Sequence, residues 1–414
     1  MWIHPCTWAG LALVLAAALV PATAGTAAAG VSRAWTHQFG GAGADQAAGV
    51  AVDSDRNVYV TGRLGTGGDD DECFLRRYRP DGSRRWMRVF GTDSDDHCND
   101  VAVARNGSVY VVGFTDGTLQ GTSAGDQDAF VRKYRRDGKV VWTRQFGTSG
   151  PDQAFAVAVD NAGNVIVVGF TAGNLGGNTS LGIVDAFVRK LRPNGRHVWT
   201  RQFGSGQADA AHGVAVDASR NIVVVGQTEG SIGGAPARGG ADAFVRKLRP
   251  NGERLWTRTL GTPEDDVALD VTVDHDGRIY LVGQTTGALP GQNARGGGDG
   301  FVRRYRPNGS SVWTRQFGTP GQDWAIAAAV DHRGRLYVAG GISVVSRDGF
   351  VMKMRPDGKM AWFRKAGSRT SWEDSYGVAV DRKRHVFVVG LTGGSMGGQP
   401  WSGAWDAWVR KYRP

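Results

Sequence analysis

Hydrophobic and polar positions along the chain follow one pattern that recurs seven times. In its third copy, FAVAVD (155–160) and NVIVVG (164–169) are almost continuous apolar runs, which is typical of strands covered on both faces. DAFVRKLRP (185–193) and HVWTRQFG (197–204) alternate apolar with polar residues, as half-exposed strands do. Turn-forming Gly, Asn and Asp separate these segments. Each unit is therefore predicted to be a sheet of four antiparallel strands, two inner and two outer.

The spacing of the unit predicts the architecture. One tryptophan of the fourth segment recurs at intervals of 51, 56, 57, 57, 57 and 49 residues, at Trp35, Trp86, Trp142, Trp199, Trp256, Trp313 and Trp362. A period of this length is typical of propellers, in which each repeat forms one blade. We therefore predict an all-β, seven-bladed β-propeller, with the repeated tryptophans packed in the core.

The two ends of the chain are predicted to share one blade. The first repeat unit is preceded by an outermost strand alone, at 34–40, and the last unit stops at Pro414 after a third strand. Pairing these strands removes a free sheet edge and closes the ring. Residues 30–414 are thus expected to form a single propeller domain.

These motifs also resemble a known family. The order VAVD-x-x-GNVYVVG-x-T, a Gly-rich loop, DAFVRKY and WTRQFG is similar to the SBBP-type β-propeller repeat of secreted bacterial proteins, over about residues 34–414. The resemblance implies an exported or surface protein, and the family carries no agreed activity or catalytic residues. Blade one departs from the pattern, with Glu72 and Cys73 in place of Asp-Ala.

The N-terminal residues predict export. Residues 9–20 are apolar but too short to span a bilayer, and small residues follow them. We interpret residues 1–29 as a signal peptide cleaved after Ala24 or Ala29, and expect a periplasmic, extracellular or cell-surface protein without a transmembrane segment. In an oxidising compartment, Cys73 and Cys98 are expected to form a disulfide bond.

Acidic residues surround these two cysteines, and the disulfide would bring them together. They are Asp69, Asp70, Asp71, Glu72, Asp93, Asp95 and Asp96. This density of oxygen ligands outside the cell favours Ca²⁺, although the segment lacks the glycine and glutamate of an EF-hand loop. Solvated acidic loops without a metal are the alternative.

Four further tryptophans lie outside the repeated position, in connections of blades six and seven. They are Trp324, Trp372, Trp401 and Trp405. We expect them on one sector of the top face, defined as the face with the connections between blades and the loops joining second to third strands. Exposed aromatic side chains stack on sugar rings and anchor protein partners. Alternatively, they seal the closing blade.

The top face is also predicted to carry an acidic residue at the start of each inner strand. These residues are Asp45, Asp96, Asp152, Asp209, Asp266, Asp323, and Glu373 or Asp374. They form either a ring of carboxylates that binds cations, or seven caps that accept hydrogen bonds from backbone N–H groups in tight turns. Sevenfold recurrence favours caps, because a functional site is needed only once.

Composition narrows the classes of function. The 49 Lys and Arg exceed the 39 Asp and Glu, which gives a formal net charge of +10. Many basic residues fall on the outer strands, where they either bind anionic surfaces or keep the sheet soluble. Export disfavours nucleic acid as a partner. The HExxH motif of zinc metalloproteases does not occur.

The sequence therefore predicts a secreted, monomeric, non-catalytic propeller that binds a glycan or an extracellular protein through its top face, with Ca²⁺ as the one candidate cofactor. The alternative is a lyase or hydrolase that uses top-face carboxylates and a divalent metal. That alternative requires a His or Tyr beside acids in the channel mouth, for which His97 and His212 are the candidates.

Overall fold

The seven repeated units form seven separate four-stranded antiparallel sheets in the computed structural model of the protein. The structure describes residues 31–68, 70–343, 346–367 and 371–414. The predicted signal peptide, residues 1–29, and Asp69 lie outside these ranges.

The strands are numbered in chain order and their bounds follow the predicted segments. They are β1 (Ser32–Phe39); in blade one β2 (Gln46–Val52), β3 (Val58–Gly65), β4 (Asp71–Tyr78) and β5 (Arg84–Phe90); in blade two β6 (Asp96–Val103), β7 (Val109–Thr115), β8 (Asp128–Tyr134) and β9 (Val140–Phe146); in blade three β10 (Asp152–Val159), β11 (Val165–Thr171), β12 (Asp185–Leu191) and β13 (His197–Phe203). Blade four has β14 (Asp209–Val216), β15 (Ile222–Thr228), β16 (Asp242–Leu248) and β17 (Arg254–Leu260); blade five has β18 (Asp266–Val273), β19 (Ile279–Thr285), β20 (Asp299–Tyr305) and β21 (Ser311–Phe317); blade six has β22 (Trp324–Val330), β23 (Leu336–Ser343), β24 (Arg347–Met354) and β25 (Met360–Lys365); blade seven has β26 (Glu373–Val380), β27 (Val386–Thr392) and β28 (Asp406–Arg413). A 3₁₀ turn, Leu175–Gly177, lies in the blade-three loop.

The ring closes as predicted. Strand β1 pairs with β28, so the seventh sheet has the order β1-β28-β27-β26. The first strands of neighbouring blades contact one another around the ring, including β2 with β26. The seven-bladed propeller is therefore confirmed. We call the top ends of the seven first strands the channel mouth.

The hydrophobic core lies between blades. Ile166 and Val168 of blade three, for example, share one buried cluster with Val224 and Phe244 of blade four. This explains why the inner segments are apolar on both faces.

A repeated hydrogen bond fastens each blade to the next, and we call it the latch. Lys133 at the lower end of β8 donates from Nζ to the carbonyl oxygen of Pro193 in the next blade, at 2.7 Å. The Trp142 indole donates to the same oxygen at 3.2 Å. Gly195 (φ +82°) packs on that indole, where an added Cβ would lie 2.9 Å from a ring atom. Trp142 and Trp199 are buried core residues, as predicted, whereas Trp35, Trp86, Trp256 and Trp313 are half-buried and pack against the core clusters.

In the part of the chain that the structure describes, latches occur at six blade interfaces. The donors and acceptors are Arg77 to Arg136, Lys133 to Pro193, Lys190 to Pro250, Lys247 to Pro307, Arg304 to Pro356 and Lys411 to Pro80. Among the described residues no latch joins blades six and seven, and an ion pair between Arg347 and Asp374 crosses that interface at the upper ends of the strands.

Each first strand also carries a β-bulge near its middle. In blade three the register shifts between Ala154 and Ala156, which leaves Phe155 as the extra residue. The corresponding residue of blade four is His212, and the two rings stack with centroids 5.2 Å apart. Bulges thus turn one side chain per blade away from the ladder.

Candidate functional site

The acidic residues at the start of the first strands are buried rather than exposed. Asp152 is 0% exposed, and its Oδ2 accepts hydrogen bonds from the Thr148 backbone N–H at 2.5 Å and the Thr148 hydroxyl at 2.8 Å. Equivalent bonds hold Asp209 and Asp266. These carboxylates are turn caps, and an open carboxylate ring is not formed.

Aromatic and basic side chains meet instead where blades six and seven adjoin. The Arg347 guanidinium lies 4.0 Å from the centroid of the Trp324 ring and 5.1 Å from that of Trp372. Trp372 in turn faces Trp405, with centroids 6.3 Å apart and planes inclined by 53°. We call Trp324, Arg347, Trp372 and Trp405 the Trp–Arg cluster.

An ion pair positions the arginine of this cluster. Arg347 Nη1 lies 3.1 Å from Asp374 Oδ2, and the Tyr376 hydroxyl donates to the same oxygen at 3.3 Å. Burial raises the pKa of Asp374 to about 6 against the opposing effect of Arg347. Burial also raises the pKa of Tyr376 well above its ordinary value. Near neutral pH the group therefore presents an ionised carboxylate, a protonated phenol and a guanidinium.

The structure thus gathers three of the four predicted tryptophans. The fourth, Trp401, is 50% exposed and lies in the same β27–β28 loop as Trp405. Trp372 is 51% exposed, so one ring of the cluster is open to a ligand. Among the described residues, no ring contact joins Trp401 to the cluster.

Asp71, Asp95 and His97 belong to another charged group on the neighbouring blades one and two, which we call the acidic sector. A disulfide bond joins Cys73 and Cys98, as predicted, with Cα atoms 5.3 Å apart. It brings the ends of β4 and β6 together, and the Asp71 backbone N–H donates to Asp95 Oδ1 at 3.0 Å. His97 Nε2 lies 3.4 Å from Asp71 Oδ2.

Only part of the predicted Ca²⁺ ligand set converges. Ligand atoms of Asp71, Asp95 and His97 lie within 4.8 Å of one another, a grouping that can hold a metal ion. Asp96 is buried and caps Thr92, while Asp70 and Asp93 are exposed. Glu72 is half-buried, and its pKa is raised by burial and then by Asp96. A ligand set with one imidazole suits Zn²⁺ or a similar ion better than Ca²⁺, which takes six to eight oxygens.

Arg63 adds a positive charge to the acidic sector. Its Nη1 lies 2.6 Å from Asp71 Oδ2, while its Nε donates to Gln46 Oε1 at 3.2 Å. Its positive charge also acts on Tyr376 of blade seven. The hydrogen bond from His97, together with Arg63, lowers the pKa of Asp71. The charged residues of the two regions singled out in the sequence therefore lie on consecutive blades, from blade six to blade two.

At the positions equivalent to Asp374 and Arg63, the opposite arc of the channel mouth carries uncharged side chains. The residues at the equivalent positions of blades three to five are Gln153, Phe170, Ala210, Gln227, Val267 and Gln284. His212 belongs to this arc, where its Nε2 lies 3.4 Å from Gln227 Oε1 and burial lowers its pKa to about 4. Of the two candidate histidines, only His97 stands beside carboxylates.

Two carboxylates lie in the channel wall, a position that was not predicted for them from the sequence. Asp100 Oδ2 accepts from the Val157 N–H of the next blade at 2.9 Å, and Asp270 Oδ2 accepts from that of Ala328 at 2.8 Å. Burial raises the pKa of each to about 7. The other blades carry Gly or Ala at this position. The signal that could have identified these two residues is therefore a carboxylate where the other repeats have a small side chain.

Comparison with known proteins agrees with the repeat assignment. The family described as SBBP, beta-propeller repeat, matches residues 34–63 and 141–176. Regulatory protein FlaEY of Caulobacter vibrioides is 26% identical over 300 residues, which cover 64% of this chain and 31% of that protein. An uncharacterized WD repeat-containing protein, L264 of Acanthamoeba polyphaga mimivirus, is 24% identical over 235 residues, 45% of this chain and 17% of its own length. The chain thus spans a third or less of these relatives.

Among solved structures, the polysaccharide lyase Uly1 is similar in fold. The TM-score is 0.53 with 12% sequence identity, and the match covers 89% of each chain. Within the described ranges, the protein has no helix long and apolar enough to cross a membrane.

Proposed function

We propose that this chain, which carries SBBP β-propeller repeats, is an exported, non-catalytic module that binds a glycan through the Trp–Arg cluster on its top face. The observation that carries the proposal is the Arg347 guanidinium held between Trp324 and Trp372. The Cys73–Cys98 disulfide supports export, because such bonds persist in oxidising compartments.

The chemistry of the cluster fits a sugar. Aromatic rings provide apolar faces on which the C–H groups of a pyranose pack, and Trp372 has half of its surface free for that contact. The guanidinium of Arg347 adds planar donors for hydroxyl or carboxylate oxygens. Because the ion pair with Asp374 already orders this side chain, little conformational entropy is lost on binding.

A glycan screen with the purified protein tests the proposal. We expect Trp372→Ala and Arg347→Ala each to weaken binding of the glycan found by about 30-fold, the cost of losing a central aromatic or Arg contact. Ile183→Ala serves as the matched control, since it removes an exposed apolar side chain from a loop of blade three. Melting temperatures verify that the variants fold.

Two outcomes would contradict the proposal. One is full glycan affinity in folded Trp372→Ala and Arg347→Ala. The other is a protein partner that depends on these residues while no glycan binds.

A second candidate, cleavage of a carboxylated polysaccharide, is favoured by the Tyr376–Asp374–Arg347 group. Asp374 can accept a proton and Tyr376 can donate one, while Arg347 can pair with a sugar carboxylate, as proton abstraction beside a carboxylate requires. Incubation with polyuronates, followed by ultraviolet absorbance of unsaturated products, tests this candidate. Tyr376→Phe should abolish the signal but spare binding.

A further inference from the structure

A second charged region lies away from the channel mouth, on the outer rim between blades one and two. An open cleft of about 420 Å³ is lined there by Arg77, Arg85, Trp86, Arg136 and Asp137. Arg77 is near the lower end of β4, whereas the acidic sector begins at the upper end of that strand. The cleft is thus separate from the proposed glycan site.

The repeat itself does not require these arginines. At the position of Arg136 the other six copies carry proline, namely Pro80, Pro193, Pro250, Pro307, Pro356 and Pro414. At the position of Arg85 the other six carry apolar residues, namely Ala34, Val141, Val198, Leu255, Val312 and Ala361. Arg85 and Arg136 therefore place two guanidinium groups at one blade interface, although the other repeats form this interface without them.

Arg136 also changes the charge balance of the latch beside it. In blade three, the latch lysine Lys190 is neutralised by Asp160, with Nζ 3.2 Å from Oδ2. In blade one, the corresponding carboxylate, Asp53, lies 3.7 Å from Arg136, which also pairs with Asp55 at 2.6 Å.

The latch residue of blade one, Arg77, has no ion-pair partner among the described residues, as is also the case for the latch residues Lys133, Arg304 and Lys411. Its Nη1 donates to the carbonyl oxygen of Arg136 at 2.8 Å, and its Nε is buried without an acceptor. Within the described part of the chain, no carboxylate lies within 4.0 Å of Arg77 or of the exposed Arg85. The only acid lining the cleft, Asp137, accepts a hydrogen bond from the Lys139 N–H and lies 3.7 Å from Arg135.

The tryptophan of the cleft is partly covered. Gly138 packs on the Trp86 ring, where an added Cβ would lie 2.9 Å from Cε2, and the Arg88 guanidinium lies 5.3 Å from the ring centroid. A sugar ring therefore cannot stack on the part of the indole that Gly138 covers. Recognition must come from the guanidinium groups, which match the oxygens of phosphate and sulfate in bidentate geometry.

We propose that this cleft binds a tetrahedral oxyanion, phosphate or sulfate, either as the free ion or as an ester. Arg77 and Arg85 supply the uncompensated charge, and Arg136 holds Arg77 in place through its carbonyl oxygen.

Titration calorimetry with inorganic phosphate and sulfate at low ionic strength tests the site on the full chain. The decisive variant combines Arg85→Val with Arg136→Pro, because each change restores what other repeats carry and the fold should persist. It also frees Asp53 to neutralise Arg77. We expect affinity to fall by at least about tenfold, since charge-assisted bidentate bonds are lost.

The matched control combines Arg192→Ala with Arg196→Ala, which removes two exposed charges from the corresponding turn of blade three. It should bind the anions as the unchanged protein does, and melting temperatures should show that both double variants are folded. Glucose 1-phosphate separates the sources: tighter binding than inorganic phosphate indicates an ester, and equal binding indicates the free ion. The proposal is overturned if neither anion binds, if the Arg85/Arg136 variant keeps its affinity, or if the control loses as much.

Discussion

Asp270 makes the stability of the propeller depend on pH, and its replacement by alanine tests this. The carboxylate lies in the channel wall and accepts backbone N–H bonds from Val271 at 2.7 Å and from Ala328 of the next blade at 2.8 Å. Burial, against these hydrogen bonds, raises its pKa from 3.8 to about 7. The Asp100 carboxylate adds to the rise.

The sign follows from proton binding. Between pH 4 and 7 the folded protein holds a proton on Asp270 that the unfolded chain has released. The stability contributed by this group is therefore complete below about pH 4 and is lost as the pH rises through 7. A shift of about three units is worth about 4 kcal/mol in full, of which roughly 2–3 kcal/mol falls between pH 5 and pH 8.

Chemical denaturation of the unchanged protein and of Asp270→Ala at pH 5 and pH 8 measures the effect. The free energy of unfolding should favour the unchanged protein more at pH 5 than at pH 8, by about 2–3 kcal/mol. Leu269→Ala is the control, because it alters the adjacent bulge residue without removing a carboxyl group. A difference between Asp270→Ala and the unchanged protein that is constant with pH would refute the reasoning.

Three further predictions concern stability. Gly195→Ala should lower the free energy of unfolding by about 1–3 kcal/mol, because the new methyl group meets an indole ring and the backbone has a positive φ. Gly206→Ala is the control: its methyl group meets no atom within 4 Å, so the melting temperature should not change. Replacing Cys73 and Cys98 by serine should lower the free energy of unfolding by about 3 kcal/mol in calorimetry, and reductant should then have no further effect. Any rise in melting temperature caused by Zn²⁺ or Ca²⁺ should disappear in Asp95→Ala; a rise that persists would place the ion elsewhere.

The fold was predictable because each repeat contains its own turn and strand signals. Trp142 and Gly195 recur at matching positions in most copies, and the structure shows them in contact across a blade interface. Asp152 was correctly favoured as a cap, because a carboxylate four residues after Thr148 can reach its N–H group.

The candidate site was predicted only in pieces, because it depends on ring closure. Blade one and blade seven are remote in sequence, so the effect of Arg63 on Tyr376 depends on ring closure and could not be inferred from spacing. Arg347 begins β24, whose sequence differs from that of the other third strands. Its position beside the rings of Trp324 and Trp372 depends on how blade six packs against blade seven, which the sequence does not specify. Trp401, by contrast, was grouped by proximity in sequence alone.

The interface between blades six and seven is fastened differently from the other six. There the Arg347–Asp374 ion pair and the Trp–Arg cluster join the upper ends of the two blades, with Trp324 on one side and Trp372 on the other. A ligand that contacts the rings of both Trp324 and Trp372 would bridge the interface between blades six and seven. Binding of the ligand should then raise the free energy of unfolding of the whole ring, since a ligand that binds only the closed, folded state stabilises that state.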